Sequence, residues 1–195
     1  MLPQSKHHVV CETLQEMKPW ARSAARLRVS SGFAVAAAYL IYARPRPVAL
    51  AAGLLLGGLG LALRAWAAGH LAKNLSLATS GPFAFTRNPL YLGSLLVAAG
   101  FGVAGRSWAL AALLAVYFLM VYVPVIGEEE SHLRALFPDY QVYAARVPRL
   151  WPRWRPAGPG GGSFRWALYL RNREYQAALG YLAAAAVLAI KLAFI

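Results

Sequence analysis

The chain has 195 residues, of which 59% are hydrophobic and only 14% are charged. A soluble domain carries about 25% charged residues, so this sequence lacks the polar surface needed to cover itself in water. The composition therefore excludes an ordinary soluble domain and predicts an all-α integral membrane protein. The net charge of +13 does not indicate a nucleic-acid partner. The basic residues flank apolar runs, as they do in loops that face anionic membrane lipid.

Cysteine and histidine usage excludes two further classes of protein. The single cysteine, Cys11, cannot form an internal disulfide or a cysteine-cluster metal site. The four histidines lack ligand spacing, so no metal is predicted. The N-terminus has no apolar core followed by a small-residue cleavage site, so we expect no removed signal peptide.

The apolar runs predict about five transmembrane helices within a single membrane domain. Residues 1–28 are polar, and Val9 to Trp20 are predicted to form a short interfacial helix. Residues 29–68 hold the first two spans, Val29 to Ala43 and Val48 to Ala68, joined by a proline-rich turn. In the second span, Gly53, Gly57 and Gly60 have the small-residue spacing that permits close helix packing.

Residues 69–155 are predicted to hold a helix hairpin and a polar helical segment. A polar connector, residues 69–88, leads to the third span, Leu90 to Ala104. The sequence Gly105-Arg106-Ser107 then turns the chain back into the fourth span, Trp108 to Ile126. Pro124 predicts a bend in the last turn of that span. Gly127 predicts its end, so that Glu128 to Glu130 would open a new helix.

The C-terminal part is predicted to be a linker followed by one more span. Residues 156–163 are rich in proline and glycine, which is typical of a flexible linker. Residues 164–195 hold an interfacial segment and then a fifth span, Ala177 to Ile195. Lys191 lies near the end of that span, where its side chain can reach the interface.

The distribution of lysine and arginine predicts the orientation. With the N-terminus inside, the basic residues on the outer side are Arg44, Arg46, Arg106 and Lys191, and the other sixteen of the twenty lie inside. The connector before the third span and the acids after the fourth then share the cytoplasmic face. The richness in alanine, arginine and glycine is typical of a GC-rich bacterial source, which predicts a bacterial inner membrane protein.

Three of the seven acidic residues are consecutive, Glu128, Glu129 and Glu130, at the end of an apolar run. Carboxylates at a membrane face are costly unless they meet a partner. Like charges this close raise one another's pKa unless a cation lies between them. We therefore expect either a cationic ligand or a basic side chain from elsewhere.

The start of the third span is the second candidate feature. Pro89 suits a first helical turn, and Asn88 is a good N-cap. The free N–H groups of a helix start can hold a carboxylate. Tyr91 and Gly93 follow one turn later and are expected to face the fourth span, and Gly93 permits a close approach to the backbone. A well-capped helix with no ligand is the alternative.

Taken in order, these motifs resemble the isoprenylcysteine carboxyl methyltransferase family and, more broadly, the phospholipid methyltransferases of membranes. The matching residues are Arg87-Asn-Pro-Leu-Tyr-Leu-Gly93, Glu128-Glu129-Glu130-Ser-His-Leu133, Phe137, Tyr140, Tyr143 and Arg146-Val-Pro148. Two positions depart from the family pattern: Asn88 replaces a histidine, and Pro138 replaces a glycine. The resemblance covers about residues 68–152.

The resemblance implies S-adenosylmethionine, bound between the hairpin and the cytoplasmic segment that follows it. Glu128 and Glu129 would pair with the ammonium, and Glu130 with the helix start or an arginine. Arg87, Lys73 or the helix start would hold the carboxylate, while the rings of Tyr91 and Tyr140 would face the sulfonium. The whole predicted cofactor set is Lys73, Arg87, Asn88, Pro89, Tyr91, Leu92, Gly93, Glu128, Glu129 and Tyr140.

The implied reaction is methyl transfer to a lipidic, prenylated or small apolar acceptor that arrives from the bilayer. Arg146 could hold an acidic acceptor, and His70 could remove a proton from an amine or thiol. Two alternatives remain open. One is an NADPH-dependent reductase of the sterol-reductase type, although the glutamates would repel its phosphates. The other is a non-enzymatic lipid-binding membrane protein.

Overall fold

The computed structural model describes residue 32, residues 34–157 and residues 162–194. The chain divides into two compact units, residues 1–38 and residues 39–195. The described residues of the first unit are helical. The predicted interfacial helix from Val9 to Trp20, part of the predicted first span (residues 29–31 and 33) and half of the linker (residues 158–161) lie outside the described residues. The second unit holds every candidate site residue named above.

The described part of the second unit is built from helices and loops, which confirms the all-α prediction. After a helical stretch over residues 39–42, the helices are α1 (Pro47–His70), α2 (Pro89–Gly105), α3 (Trp108–Tyr117), α4 (Val123–Leu136), α5 (Tyr140–Arg146), α6 (Trp166–Arg171) and α7 (Tyr175–Ala193). A short 3₁₀ turn, Gly81–Ala84, precedes α2. Within the described residues, three helices are long and apolar enough to cross a membrane: α1, the continuous helix Trp108–Leu136, and α7. Helix α2 is apolar but shorter, so the count of five spans stays a prediction.

Helices α1 and α2 pack closely through glycines. A Cβ added at Gly60 would lie 2.5 Å from the carbonyl oxygen of Gly93, and one at Gly100 would lie 2.5 Å from that of Gly53. Any side chain at these positions would therefore push the two backbones apart. The predicted packing role of Gly53, Gly57 and Gly60 is confirmed. Gly93 contacts α1 and not the fourth span, so the expectation for its direction was wrong.

The predicted hairpin between the third and fourth spans is present. Arg106 ends α2 in the left-handed conformation, with a φ of 51°. The Ser107 side chain then accepts a hydrogen bond from the Leu110 N–H and caps α3. The first turn of α2 and the far end of the following helix therefore lie side by side.

The fourth span does not end at Gly127. Helices α3 and α4 are joined by a π-helical segment, Phe118–Tyr122, into one helix of 29 residues. Its length, about 43 Å at 1.5 Å per residue, exceeds the ~30 Å of bilayer hydrocarbon. The ring of Pro124 disfavours regular helix over the preceding turn, and the π segment lies there. Glu128 to Glu130 therefore lie within a helix, and the prediction that they open a new one was wrong.

The chain after α6 is fastened to the end of α1. The Asn172 side chain donates to the carbonyl oxygens of Ala68 (3.0 Å) and Leu71 (2.9 Å) at the C-terminal end of α1. At the other end of α7, the Lys191 ammonium donates to the carbonyl oxygens of Leu40 and Ile41, 2.9 and 2.6 Å away. Lys191 therefore pairs with the last carbonyls of residues 39–42, which the snorkelling prediction did not include.

Candidate functional site

The three consecutive glutamates of α4 lie in three different environments. Successive residues of an α-helix point about 100° apart, so neighbours cannot share one face. Glu128 is exposed, Glu129 is half-buried, and Glu130 is only 8% exposed. The acidic run is therefore three separate sites, each with its own partners.

Glu130 is neutralised by side chains from two other segments. Its carboxylate lies 3.5 Å from an Arg87 nitrogen and 3.3 Å from Arg149 Nε. The Asn88 side chain donates a third contact, 3.2 Å long. These contacts confirm that the connector before α2 and the glutamates of α4 come together. They also give Glu130 the arginine partners that the sequence pattern suggested.

Asn88 stands at the N-cap position of α2, but its side chain does not cap the helix. The amide nitrogen instead donates to Glu130 and, over 2.9 Å, to the Arg149 carbonyl oxygen. The capping prediction for this side chain was therefore wrong. The buried Glu130 carboxylate and the Arg149 carbonyl thus take the donors of this amide. Pro89 occupies the first helical position, as expected.

The chain after α5 runs beside the connector and holds these groups in place. The Arg87 N–H donates to the Pro148 carbonyl, and the Thr86 hydroxyl donates to that of Leu150, both near 3 Å. The Tyr143 hydroxyl donates to the Phe83 carbonyl at 2.8 Å. Hydrogen bonds to the backbone therefore link two segments sixty residues apart. They explain why Arg87 and Arg149 reach the same carboxylate.

Tyr140 is almost fully buried beside these ion pairs, with 1% of its surface exposed. Burial raises the pKa of its hydroxyl, and the Glu130 carboxylate raises it further, whereas Arg87 opposes the rise. Among the described residues, the Tyr140 hydroxyl and Arg87 Nε are buried without a partner in hydrogen-bond geometry. The Tyr140 ring packs against Tyr143, so facing an open sulfonium would require a rearrangement.

Glu129 has a different partner from Glu130. The Tyr91 hydroxyl donates a 2.7 Å hydrogen bond to its Oε2. The Tyr91 ring meets the Tyr122 ring at 5.8 Å, edge to face. Tyr91 therefore faces the fourth span, as expected. In the described part of the chain, no basic side chain forms an ion pair with Glu128 or Glu129.

Three other predicted site residues, His70, Lys73 and Arg146, lie apart from the contact between Glu129 and Tyr91. The His70 ring packs beside Trp66 and Phe164, and its Nδ1 lies 3.3 Å from the Ser80 hydroxyl. Lys73 is exposed in the connector. Arg146 is exposed at the end of α5. The structure brings together Arg87, Asn88, Tyr91, Tyr140 and the glutamates, while Leu92 and Gly93 are buried in helix packing.

Sequence reasoning missed a partly buried ion pair between Arg64 and Glu174. Arg64, inside α1, makes two contacts of 3.0 and 2.8 Å with the Glu174 carboxylate. Its remaining nitrogen donates to the Ser94 hydroxyl and the Leu90 carbonyl, which flank Tyr91 on α2. A charged residue within an apolar span was the available signal. The pair ties the start of α7 to the first turns of α2.

An apolar groove lies between α2 and α3. It has a volume of about 570 Å³, and its lining includes Leu95, Ala99, Gly102, Ala111 and Leu114. None of its lining residues belongs to the glutamate sites. Within the described residues, no group of three or more histidine, cysteine, aspartate or glutamate side chains could hold a metal ion.

One family model and two curated proteins match part of this chain. Residues 48–140 match the family model described as phospholipid methyltransferase. The cobalt-zinc-cadmium resistance protein CzcN of Cupriavidus metallidurans is 38% identical over 106 residues, which are 51% of this chain and 49% of the relative. The nickel-cobalt-cadmium resistance protein NccN of Alcaligenes xylosoxydans xylosoxydans is 37% identical over 109 residues, 53% and 51% of the two chains. The chain therefore spans about half the length of these curated relatives. No solved structure matches it significantly.

The family match confirms the resemblance seen in the motifs. It covers α1, the hairpin and the whole of α4, and it ends at Tyr140. It therefore includes Arg87, Tyr91 and all three glutamates, but not Arg146 or Arg149. The family whose model matches is described as phospholipid methyltransferase.

Proposed function

We propose that this protein of the phospholipid methyltransferase type uses S-adenosylmethionine to methylate an apolar or lipidic acceptor in the membrane. The observation that carries the proposal is the contrast between neighbouring glutamates. Glu130 already has two arginines and an amide, whereas Glu129 bonds to a neutral phenol. A half-buried carboxylate without a cation favours a cationic ligand.

The residues present fit the charged groups of the cofactor. Glu129, with the exposed Glu128 beside it, would hold the ammonium. Arg87 and the Tyr140 hydroxyl, neighbouring buried donors, would hold the carboxylate once the side chains around them move. The first turn of α2, from Pro89, supplies further N–H groups, and Lys73 on the connector could reach the same anion. The bound cofactor would supply an activated methyl group on sulfur.

The task of the protein is then to align the acceptor and exclude water. The site lies at the end of the 29-residue helix, where a substrate embedded in the bilayer can meet a charged group from the aqueous side. Arg146 is exposed at the end of α5 and could hold an anionic acceptor. It lies outside the matched range, so the acceptor is proposed only by class. His70 is kept as a base only for an acceptor that must lose a proton.

Two features support methyl transfer over NADPH-dependent reduction. The described glutamates Glu128 and Glu129 lack basic partners and would repel a cofactor with several phosphates. The family match is to methyltransferases. For the same reasons, a scaffold that only binds lipid is the less supported interpretation.

Binding of S-adenosylmethionine and of S-adenosylhomocysteine, measured by calorimetry on purified protein in detergent, tests this proposal. Glu129→Gln should weaken binding of both roughly 10- to 100-fold, since hydrogen bonds to charged groups contribute about 1.5–3 kcal/mol. Asp139→Asn is the matched control, because it removes one exposed carboxylate outside the site and should leave affinity unchanged. Absence of binding by the wild-type protein, together with tight NADPH binding, would contradict the proposal.

The acceptor is best sought directly. Transfer of a labelled methyl group to extracted membrane lipids should give a labelled lipid product. Glu129→Gln should lose that product, and Asp139→Asn should retain it. Wild-type protein that binds the cofactor but labels neither lipid nor small apolar compounds would contradict the acceptor class while leaving the cofactor assignment standing.

A further inference from the structure

Three tyrosines, Tyr91, Tyr117 and Tyr122, form a cluster of rings that reaches Glu129 through Tyr91, and we call them the tyrosine cluster. The ring of Tyr122 lies 5.8 Å from that of Tyr91 and 6.3 Å from that of Tyr117, edge to face in both cases. Phe118 stacks against Tyr122 at 5.0 Å. Tyr122 is therefore the central ring, and Tyr91 connects it to the Glu129 carboxylate.

The π-helical segment assembles this cluster. Tyr117 and Tyr122 are five residues apart, and in a regular α-helix they would point about 140° away from each other. A π turn bonds residues five apart, which places one above the other. The segment Phe118–Tyr122 thus brings the two rings into contact. Pro124 accounts for a departure from regular helix here, but not for the choice of tyrosine at three positions around a carboxylate.

Helix periodicity also points Tyr122 and Glu129 in the same direction. They are seven residues apart on α4 and its preceding turn, which is two helical turns, so they share one face. That face meets α2 at Tyr91, whose hydroxyl donates to Glu129 over 2.7 Å. The aromatic rings therefore extend from the middle of the membrane-spanning helix, at Tyr122, toward Glu129, two helical turns nearer its end, with Tyr91 between them.

This combination suits a particular chemical class of ligand. A sulfonium or a fully methylated ammonium has no N–H to donate, so hydrogen-bond acceptors alone recognise it poorly. Aromatic faces attract such cations, and a nearby carboxylate adds attraction by charge. We infer that the tyrosine cluster and Glu129 form a binding site for a methylated onium group, with Tyr122 as its central ring.

Two sources could supply this group. One is the sulfonium of the cofactor, in which case the inference rests on the proposed function. The other is a methylated ammonium on an acceptor or product. In either case, Tyr122 takes the position that the sequence assigned to Tyr140, which the structure buries beside Arg87 and Glu130.

The test compares a charged ligand with its neutral counterpart. For Tyr122→Leu, the dissociation constant of S-adenosylmethionine should rise about tenfold, as expected for a desolvated cation–π contact. That of S-adenosylhomocysteine, which lacks the positive sulfur, should change much less. Tyr122→Phe keeps the ring and should keep the affinity. Tyr175→Leu, a substitution of an exposed tyrosine on α7, is the matched control and should change neither constant.

A second arm uses the wild-type protein and therefore does not depend on the folding of a variant. Choline should bind and its uncharged tert-butyl analogue should not. Choline that displaces S-adenosylmethionine assigns the site to the sulfonium, and choline that binds beside it assigns the site to a methylated ammonium. The inference would be overturned if Tyr122→Leu weakened the binding of S-adenosylmethionine and S-adenosylhomocysteine equally, or if choline and its uncharged analogue bound equally well.

The two proposals fail in different ways. A wild-type protein that binds neither S-adenosylmethionine nor S-adenosylhomocysteine contradicts the proposed function, and the choline arm still tests the tyrosine cluster. A different result would contradict only the inference about the tyrosine cluster. In that result the protein binds both forms of the cofactor, Tyr122→Leu leaves the ratio of their two dissociation constants unchanged, and choline binds no better than its uncharged analogue.

Discussion

Glu130→Gln should separate a structural glutamate from its functional neighbour. The substitution removes the charge that faces Arg87 and Arg149 but keeps an oxygen for the Asn88 amide. The Arg87 side chain is 13% exposed, so it would be left as a buried charge without its partner. Removing one member of a buried pair costs about 3–5 kcal/mol. Arg149 is 46% exposed, so its own pair should contribute less than about 1 kcal/mol.

We therefore expect Glu130→Gln to lower the free energy of unfolding by roughly 3 kcal/mol, a decrease in melting temperature of about 6–12 °C for a chain of this size. The melting temperature is measured by circular dichroism in detergent. Glu128→Gln is the matched control, since Glu128 is exposed and lacks an ion pair in the described part of the chain. It should shift the melting temperature by less than about 2 °C. If Glu130→Gln left the melting temperature unchanged and removed cofactor binding, the roles of Glu129 and Glu130 would have to be exchanged.

Two further predictions concern packing and pH. Gly60→Ala should lower the melting temperature, because the added Cβ would lie 2.5 Å from the Gly93 carbonyl oxygen. Gly180→Ala on α7 has nothing within 4 Å and should leave it unchanged or raise it slightly; equal effects would refute the close packing of α1 and α2. Burial, with Tyr140 and Glu130 nearby, raises the pKa of Tyr143 above its ordinary value of 10.0. The folded protein then retains a proton that the unfolded chain releases, so the contribution of Tyr143 to stability should be constant below about pH 10 and fall above it. Tyr143→Phe should be less stable at neutral pH, because it lacks the bond to Phe83, and should show a smaller alkaline loss in a pH series of melting curves.

Local signals in the sequence predicted the helices well where the chain itself sets their ends. Pro89 begins α2 and Trp108 begins α3, both as expected. Gly127 was a weaker signal. A glycine inside a helix costs about 1 kcal/mol relative to alanine, which is too little to end a helix whose next turn is anchored by Glu130. The contacts of Glu130 come from segments that the local sequence does not reveal.

The sequence predicted which residues lie at the site more often than it predicted what each of them contacts. The motifs selected Arg87, Asn88, Tyr91 and Tyr140, all of which lie around the glutamates. Their roles depend on partners distant in sequence. Asn88 bonds to Glu130, 42 positions away, and Arg64 bonds to Glu174, 110 positions away. Neither pairing follows from periodicity, because periodicity describes the face of one helix and not what covers it.

The three glutamates show why a motif can be right about a site and still misstate its chemistry. In sequence they form one acidic run whose mutual repulsion calls for a cation. Around the helix, each points about 100° from the next, so one cation need not satisfy all three. Arginines from the connector and from the chain after α5 neutralise Glu130. That leaves Glu129 beside a tyrosine and Glu128 toward solvent, which are the two positions from which a carboxylate can bind a ligand. The buried acid holds the connector against α4, and this anchoring is what keeps Tyr91 within reach of Glu129.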